Sequence, residues 1–176
     1  MFESIHVGSY AGFQGLGSSN ISMGQNSLYR NSTIQSVVLG IQAGYEARGN
    51  NIYAIGVNAA RSTITTHHIA IGSNAGYSNN GNNVIALGQE AGSNNTQSDR
   101  FYVKGSSANT LVGDLSNRRL GIATNVAPQF TLDVSGNTNI SGPVTTQTYV
   151  SAPAVVVSSL QITDQFKQAS TGSIYA

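Results

Sequence analysis

Gly72 and Gly76 give the stretch IAIGSNAG, residues 69–76, the first look of a glycine loop that wraps a phosphate in backbone amides. Such a loop needs Gly-Lys-Ser/Thr at its end, because the lysine neutralises the phosphates and the hydroxyl holds the metal ion. No such triplet follows, and a nucleotide site occurs once in a domain, whereas this stretch recurs. His67 and His68 suggest other chemistry: in a threefold assembly one of them would form a ring able to hold a metal or an anion. Adjacent strand residues point to opposite faces, so both cannot join one site, and a polar return segment is the plainer reading. Asp99-Arg100, and Asp114 with Arg118 and Arg119, lie where the repeat ends and read as ion pairs at a subunit seam rather than an acid–base couple. No Ser-His-Asp order and no calcium-binding nonapeptide repeat is visible. The expectation is a non-enzymatic chain with no catalytic residue, no metal site and no cofactor.

Composition narrows the class. Only 9% of the 176 residues are charged, against roughly 25% in ordinary globular domains, and Asn, Ser, Thr, Gln and Gly take their place. A net charge of +1 supplies no field for nucleic acid or anionic lipid, so neither is an expected partner. The absence of cysteine removes disulfides and thiolate chemistry. No apolar run reaches the ~18 residues of a membrane span, and MFESIHVGSY lacks the regions of a signal peptide, so no membrane insertion is expected.

The glycine of IAIG recurs at a fixed interval, as Gly8, Gly24, Gly40, Gly56, Gly72 and Gly88. Each is preceded by a large apolar residue (Val7, Met23, Leu39, Ile55, Ile71, Leu87) and, two positions earlier still, by another (Ile5, Ile21, Val37, Tyr53, Ile69, Ile85). Three residues after the glycine stand Ala11, Ser27, Ala43, Ala59, Ala75 and Ala91, all small. Apolar residues at alternate positions before a glycine mark a short strand ended by a turn. The intervening Gly/Asn-rich stretches, such as YSNNGNN, suit tight turns. The spacing therefore predicts an all-β parallel solenoid with 16-residue coils, stacked at ~4.8 Å so that equivalent residues form ladders. Sixteen residues enclose little. The middle strand position (Val38, Ala54, Ala70, Ala86) becomes small and apolar too, and stretches such as VVLG and VIALG show no polar alternation. One strand face is covered within the coil and the other needs a partner. The expected assembly packs coils of neighbouring chains around a common axis, with small columns where backbones approach closely.

Five residues after the glycine runs a further column: Phe13, Tyr29, Tyr45, Arg61, Tyr77 and Ser93. A ladder of aromatics is suited to contact a cell-surface glycan, with Tyr29, Tyr45, Arg61 and Tyr77 as the contact residues. It is equally what solenoid packing produces at the coil wall or between subunits.

VVLGIQAG, IAIGSNAG and IALGQEAG resemble the head repeats of trimeric autotransporter adhesins over residues 4 to 104. That resemblance implies a left-handed parallel β-roll in a homotrimer; Leu28 and Ala60 replace the second glycine of the motif. IGSNAG alone also fits one hexapeptide of a left-handed β-helix acyltransferase. Three such units per coil would give several aliphatic-glycine steps per repeat, and each repeat here has one.

After Asn94 the period fails, and nine of the fifteen charged side chains lie beyond Gln97. RFYVKG, TLVGDL, RRLGIAT and FTLDVSG read as short strands joined by turns. Leu120-Gly121-Ile122, Pro128 and Leu132-Asp133-Val134-Ser135-Gly136, followed by Ile140 and Gly142, resemble a module of fibre and tail-spike proteins of tailed phages and large DNA viruses. The resemblance implies a β-rich connector over 105–142 behind the roll of 4–104, and a location on the virion surface, with a bacterial cell surface as the alternative. The expected partners are further copies of the chain and other capsid or tail proteins, with a host glycan at the aromatic column. Residues 143–176 are expected as extended strands or a short coiled segment. The first repeat begins at Ser4 without a cap, as expected of a piece of a longer fibre.

Overall fold

The computed structural model describes residues 3–105, 109–124 and 127–138. Among these it is all-β. The strands are β1 (Ile5–Val7), β2 (Ile21–Met23), β3 (Ser32–Ile34), β4 (Val37–Leu39), β5 (Arg48–Ile55), β6 (Ile64–Ile71), β7 (Val84–Leu87), β8 (Arg100–Lys104), β9 (Asn109–Asp114), β10 (Arg119–Ile122) and β11 (Leu132–Val134). One sheet runs β1-β2-β4-β5-β6-β7-β8-β9-β10-β11, and β3 pairs with β5 beside it. From β1 to β8 the pairing is parallel and each residue meets the one sixteen further on, as in Ile5 with Ile21 and Ile69 with Ile85. A parallel β-solenoid of 16-residue coils follows directly.

The corner after each strand is a chain of tight turns. In the coil beginning at Val37, Ala43 N–H donates to Gly40 O, Tyr45 N–H to Gln42 O and Ala47 N–H to Gly44 O, at 3.3, 3.2 and 3.0 Å. The third residue of each turn, Gln42, Gly44 or Glu46, has a φ of 54, 61 or 54°, the type II arrangement. Leu28 and Ala60, which take the place of the middle glycine in their coils, adopt φ of 48 and 51°. Both are fully buried inside the coil. A Cβ on Gly44 would lie 2.7 Å from Leu28 Cδ2, so the large residue in one coil needs the glycine in the next.

The inside of the solenoid is built from small residues. Val38, Ala54, Ala70 and Ala86 from the strands, and Ala43, Ala59, Ala75 and Ala91 from the corners, have no exposed surface. Small columns were expected where the backbones of neighbouring chains meet; they line the coil's own interior instead. The reason is area: a sixteen-residue coil encloses little, and with Leu28, Ile52 and His68 already inside it the neighbouring interior positions hold small residues, so the large side chains that alternate with them on the strands point outward. Enclosed asparagines find partners within the coil stack. Asn20 Oδ1 accepts from Ser36 N–H at 3.0 Å, and Asn79 Oδ1 accepts from Gly81 N–H at 3.2 Å and from Asn95 Nδ2 at 2.8 Å.

Beyond Lys104 the sheet does not stop. β9 and β10 are antiparallel to their predecessors and β11 is parallel to β10, and the compact unit runs to Thr138. The turn closes with Asp114 accepting from Asn117 N–H and Nδ2 at 3.1 and 2.9 Å. Arg100 and Asp114, opposite one another on β8 and β9, form a buried ion pair. The side-chain hydrogen bond from Asn117, followed by the backbone bond and by Arg100, holds the Asp114 carboxyl below its ordinary pKa of 3.8. Asp99-Arg100, and Asp114 with Arg118 and Arg119, were expected as ion pairs at a subunit seam; instead Asp114 pairs with Arg100 inside one chain, because the antiparallel return brings β9 across the last parallel strand. Arg119 donates to Pro128 O at 3.2 Å and Arg118 faces solvent. The segment 143–176, with Ile140 and Gly142, lies outside the described residues.

Candidate self-association and ligand-contact surfaces

Two ladders of large apolar side chains stand on the outer face of the sheet. The first is Ile5, Ile21, Val37, Tyr53, Ile69 and Ile85; the second is Val7, Met23, Leu39, Ile55, Ile71 and Leu87. Val7, Ile55 and Ile71 are 51, 46 and 43% exposed. Two residues beyond the second ladder, Ile41 and Val57 widen the stripe in two coils.

Strand pairing carries both ladders past the last coil. Ile85 meets Phe101, Phe101 meets Gly113, Gly113 meets Leu120 and Leu120 meets Leu132. Beside it, Leu87 meets Val103, and the ladder proceeds through Leu111 and Ile122 to Val134. The missing side chain at Gly113 is filled by Phe101, whose Cβ would lie 3.0 Å from a Cβ placed there. The inner column changes character over the same strands, from Ala86 through Tyr102 and Val112 to Gly121 and Asp133. The Leu-Gly-Ile and Leu-Asp-Val triplets thus repeat the outward–inward–outward order of Ile-Ala-Ile. That alternation was present in the sequence, and its register with the coils was the missing information.

The second surface lies at the corner. Phe13 stacks on Tyr29 with ring centroids 5.7 Å apart, and Tyr29 on Tyr45 at 5.1 Å with the planes 9° apart. The Arg61 guanidinium continues the column, 5.0 Å from the Tyr45 centroid and 5.9 Å from that of Tyr77. Arg61 Nη1 donates to Gln42 Oε1 at 3.0 Å, and its buried Nε has no partner in the protein. The structure therefore brings Tyr29, Tyr45, Arg61 and Tyr77 into one half-buried stack. Within the stack ring faces are occupied by neighbours and only edges and hydroxyls look outward, so stacking on a ligand is confined to the ends of the column.

The two histidines part as their alternation requires. His67 is exposed at a corner with φ of 55°. His68 is not part of a polar return: it is fully enclosed, between Ile52 and Val84 on the neighbouring coils. Asn79 Nδ2 approaches His68 Nδ1 at 3.4 Å, while Nε2 is buried without a partner. Burial pushes the imidazole pKa from 6.5 to about 4. The residue twelve after each repeat glycine faces inward at this site, and reading that column (Asn20, Ser36, Ile52, His68, Val84) would have placed His68 in the interior. Among the described residues no three of His, Asp or Glu come together as a metal site. Comparison with family models, curated proteins and solved structures produced no match to this chain.

Proposed function

We propose that the chain is a structural and adhesive segment of a viral fibre or spike, working as a homotrimer whose subunits pack through the two apolar ladders. The observation that carries this reading is their register over ten strands, from Ile5 and Val7 to Leu132 and Val134, on a face whose large side chains are exposed or half-buried among the described residues. An exposed apolar surface of that length is costly to leave in water and marks an interaction site. Identical ladders on parallel copies offer each other the same spacing at every level, so threefold packing buries all rungs at once. The resemblance of the repeats to trimeric adhesin heads, and of Leu120-Gly121-Ile122 and Leu132-Asp133-Val134 to fibre modules, supports the same assembly and a place on the virion surface, joined to other capsid or tail proteins. The role involves no turnover. Three copies displayed on a rigid rod would multiply weak contacts to a host surface.

The test is mass in solution. Sedimentation equilibrium is expected to give three times the chain mass. Ile55→Asp with Ile71→Asp, which places two carboxylates per chain in the apolar contact, is expected to abolish the trimer. Asn80→Asp, on the exposed return side of the coil, leaves it intact. A stable folded monomer of the native chain would overturn the reading.

A further inference from the structure

The aromatic column ends early, and its end is built unlike the rest. At Tyr29, Tyr45 and Tyr77 the backbone N–H donates to the residue three before it, at 3.4, 3.2 and 3.2 Å; Ser93 makes the same bond to Glu90 at 3.3 Å. Asn94 N–H continues the coil-to-coil bonding by donating to Tyr77 O at 2.8 Å, as Ser78 does to Arg61 O at 2.9 Å. The backbone at Ser93 is thus the backbone of a ring-bearing position, and the fold would accept an aromatic residue there. A hydroxymethyl group stands in its place. One face of the Tyr77 ring is held by the Arg61 guanidinium, while the other looks towards a coil with no ring to meet it.

The outer positions of that coil carry polar side chains. Ser93 Oγ accepts from the exposed Asn94 amide at 3.4 Å. Glu90, two positions into the same coil, is half exposed and accepts from Lys104 Nζ at 3.0 Å. We propose that the open face of Tyr77 above Ser93 is a subsite for a neutral pyranose ring. The apolar C–H face of the sugar would lie on the tyrosine, and its hydroxyls would bond to Glu90 and Asn94 at the rim. An aromatic platform bordered by a carboxylate and an amide matches the two-sided character of a sugar, with apolar faces and a rim of hydroxyl groups. Arg61 supports the platform from behind, as its charge lies against the occupied ring face. The assignment deepens the adhesive reading, and it rests on that reading for its purpose; the geometry belongs to a single chain.

Saturation-transfer difference NMR with methyl β-galactoside, methyl β-glucoside and methyl α-mannoside, each at millimolar concentration against the native assembly, tests it. At least one sugar is expected to receive saturation. Ser93→Tyr, which completes the ring column and fills the notch, is expected to abolish that transfer while keeping the melting temperature equal or higher. Tyr77→Leu weakens it roughly three- to tenfold. No transfer to any of the three sugars, or transfer undiminished in Ser93→Tyr, overturns the subsite. Sedimentation of the same samples separates this from the assembly: a trimer that ignores all three sugars sinks the subsite alone, whereas a monomer that binds one sinks the trimeric reading alone.

Discussion

Lowering the pH from 7 to 4 is expected to remove about 3 kcal/mol of stability through a single side chain, His68. In the folded chain its pKa is about 4, against 6.5 for an ordinary histidine. Between those values the unfolded chain binds more protons than the folded one, so stability is fully present above 6.5, falls as the pH falls through that value, and is mostly gone by 4. The cause is geometric. The imidazole lies between Ile52 and Val84, beside Ala70 and the Gly76 backbone, with the Asn79 amide 3.4 Å from Nδ1, and its burial there disfavours the charged form. No carboxylate faces it among these neighbours. Urea unfolding at fixed protein concentration, repeated from pH 7 to pH 4, measures the effect. His68→Val, which continues the apolar column of Ile52 and Val84, should flatten the profile over that range. Equal slopes for the native chain and the variant would show that His68 is reached by protons without unfolding.

Gly56→Ala is expected to destabilise the fold more than Gly136→Ala, although the two glycines share a backbone conformation. Their φ values are 134 and 137°, a region that costs a residue with a Cβ about 1–3 kcal/mol. A Cβ on Gly56 would also lie 2.6 Å from Gly72 O, the carbonyl of the next coil, whereas a Cβ on Gly136 meets nothing within 4 Å. The stacked coils cannot separate locally without breaking the hydrogen bonds on either side, such as Gly72 N–H to Ile55 O at 2.8 Å. The overpacking should add roughly 1–3 kcal/mol to the conformational strain. Comparing the urea midpoints of the two variants isolates that difference. Equal costs would mean that the spacing between coils yields freely, and the repeat glycines would then be there for the turn alone.

The repeat glycines and the two apolar columns were legible in the sequence because a solenoid writes its geometry into spacing: residues sixteen apart share an environment, so one column constrains six positions at once. Which face turns inward was not legible. Ile69 and Ile71 alternate with Ala70 whichever way the strand faces, and only the area enclosed by the coil decides that the alanine goes inside. The surroundings of His68 are set by its column, where Ile52 and Val84 already announce an apolar site, and not by its sequence neighbour His67. The pairing of Arg100 with Asp114 was not legible, because spacing along the sequence does not say when a parallel stack will fold back antiparallel. The aromatic column was visible, including its arginine. The direction of its rings, which closes most of the column to stacking, required coordinates.

Side chains alternate along a strand, and ladders form between residues sixteen apart, so inheritance can change the length of this rod in only one increment. A duplication of sixteen residues adds one coil, ~4.8 Å of height, and leaves each column in its place. Gain or loss of one residue within a coil turns the strand over, driving isoleucine into a space made for methyl groups and setting alanine on the outer face. Recombination between equivalent points of two coils is therefore harmless where a frame-preserving slip of one codon is not, and related solenoids should differ in height by whole steps.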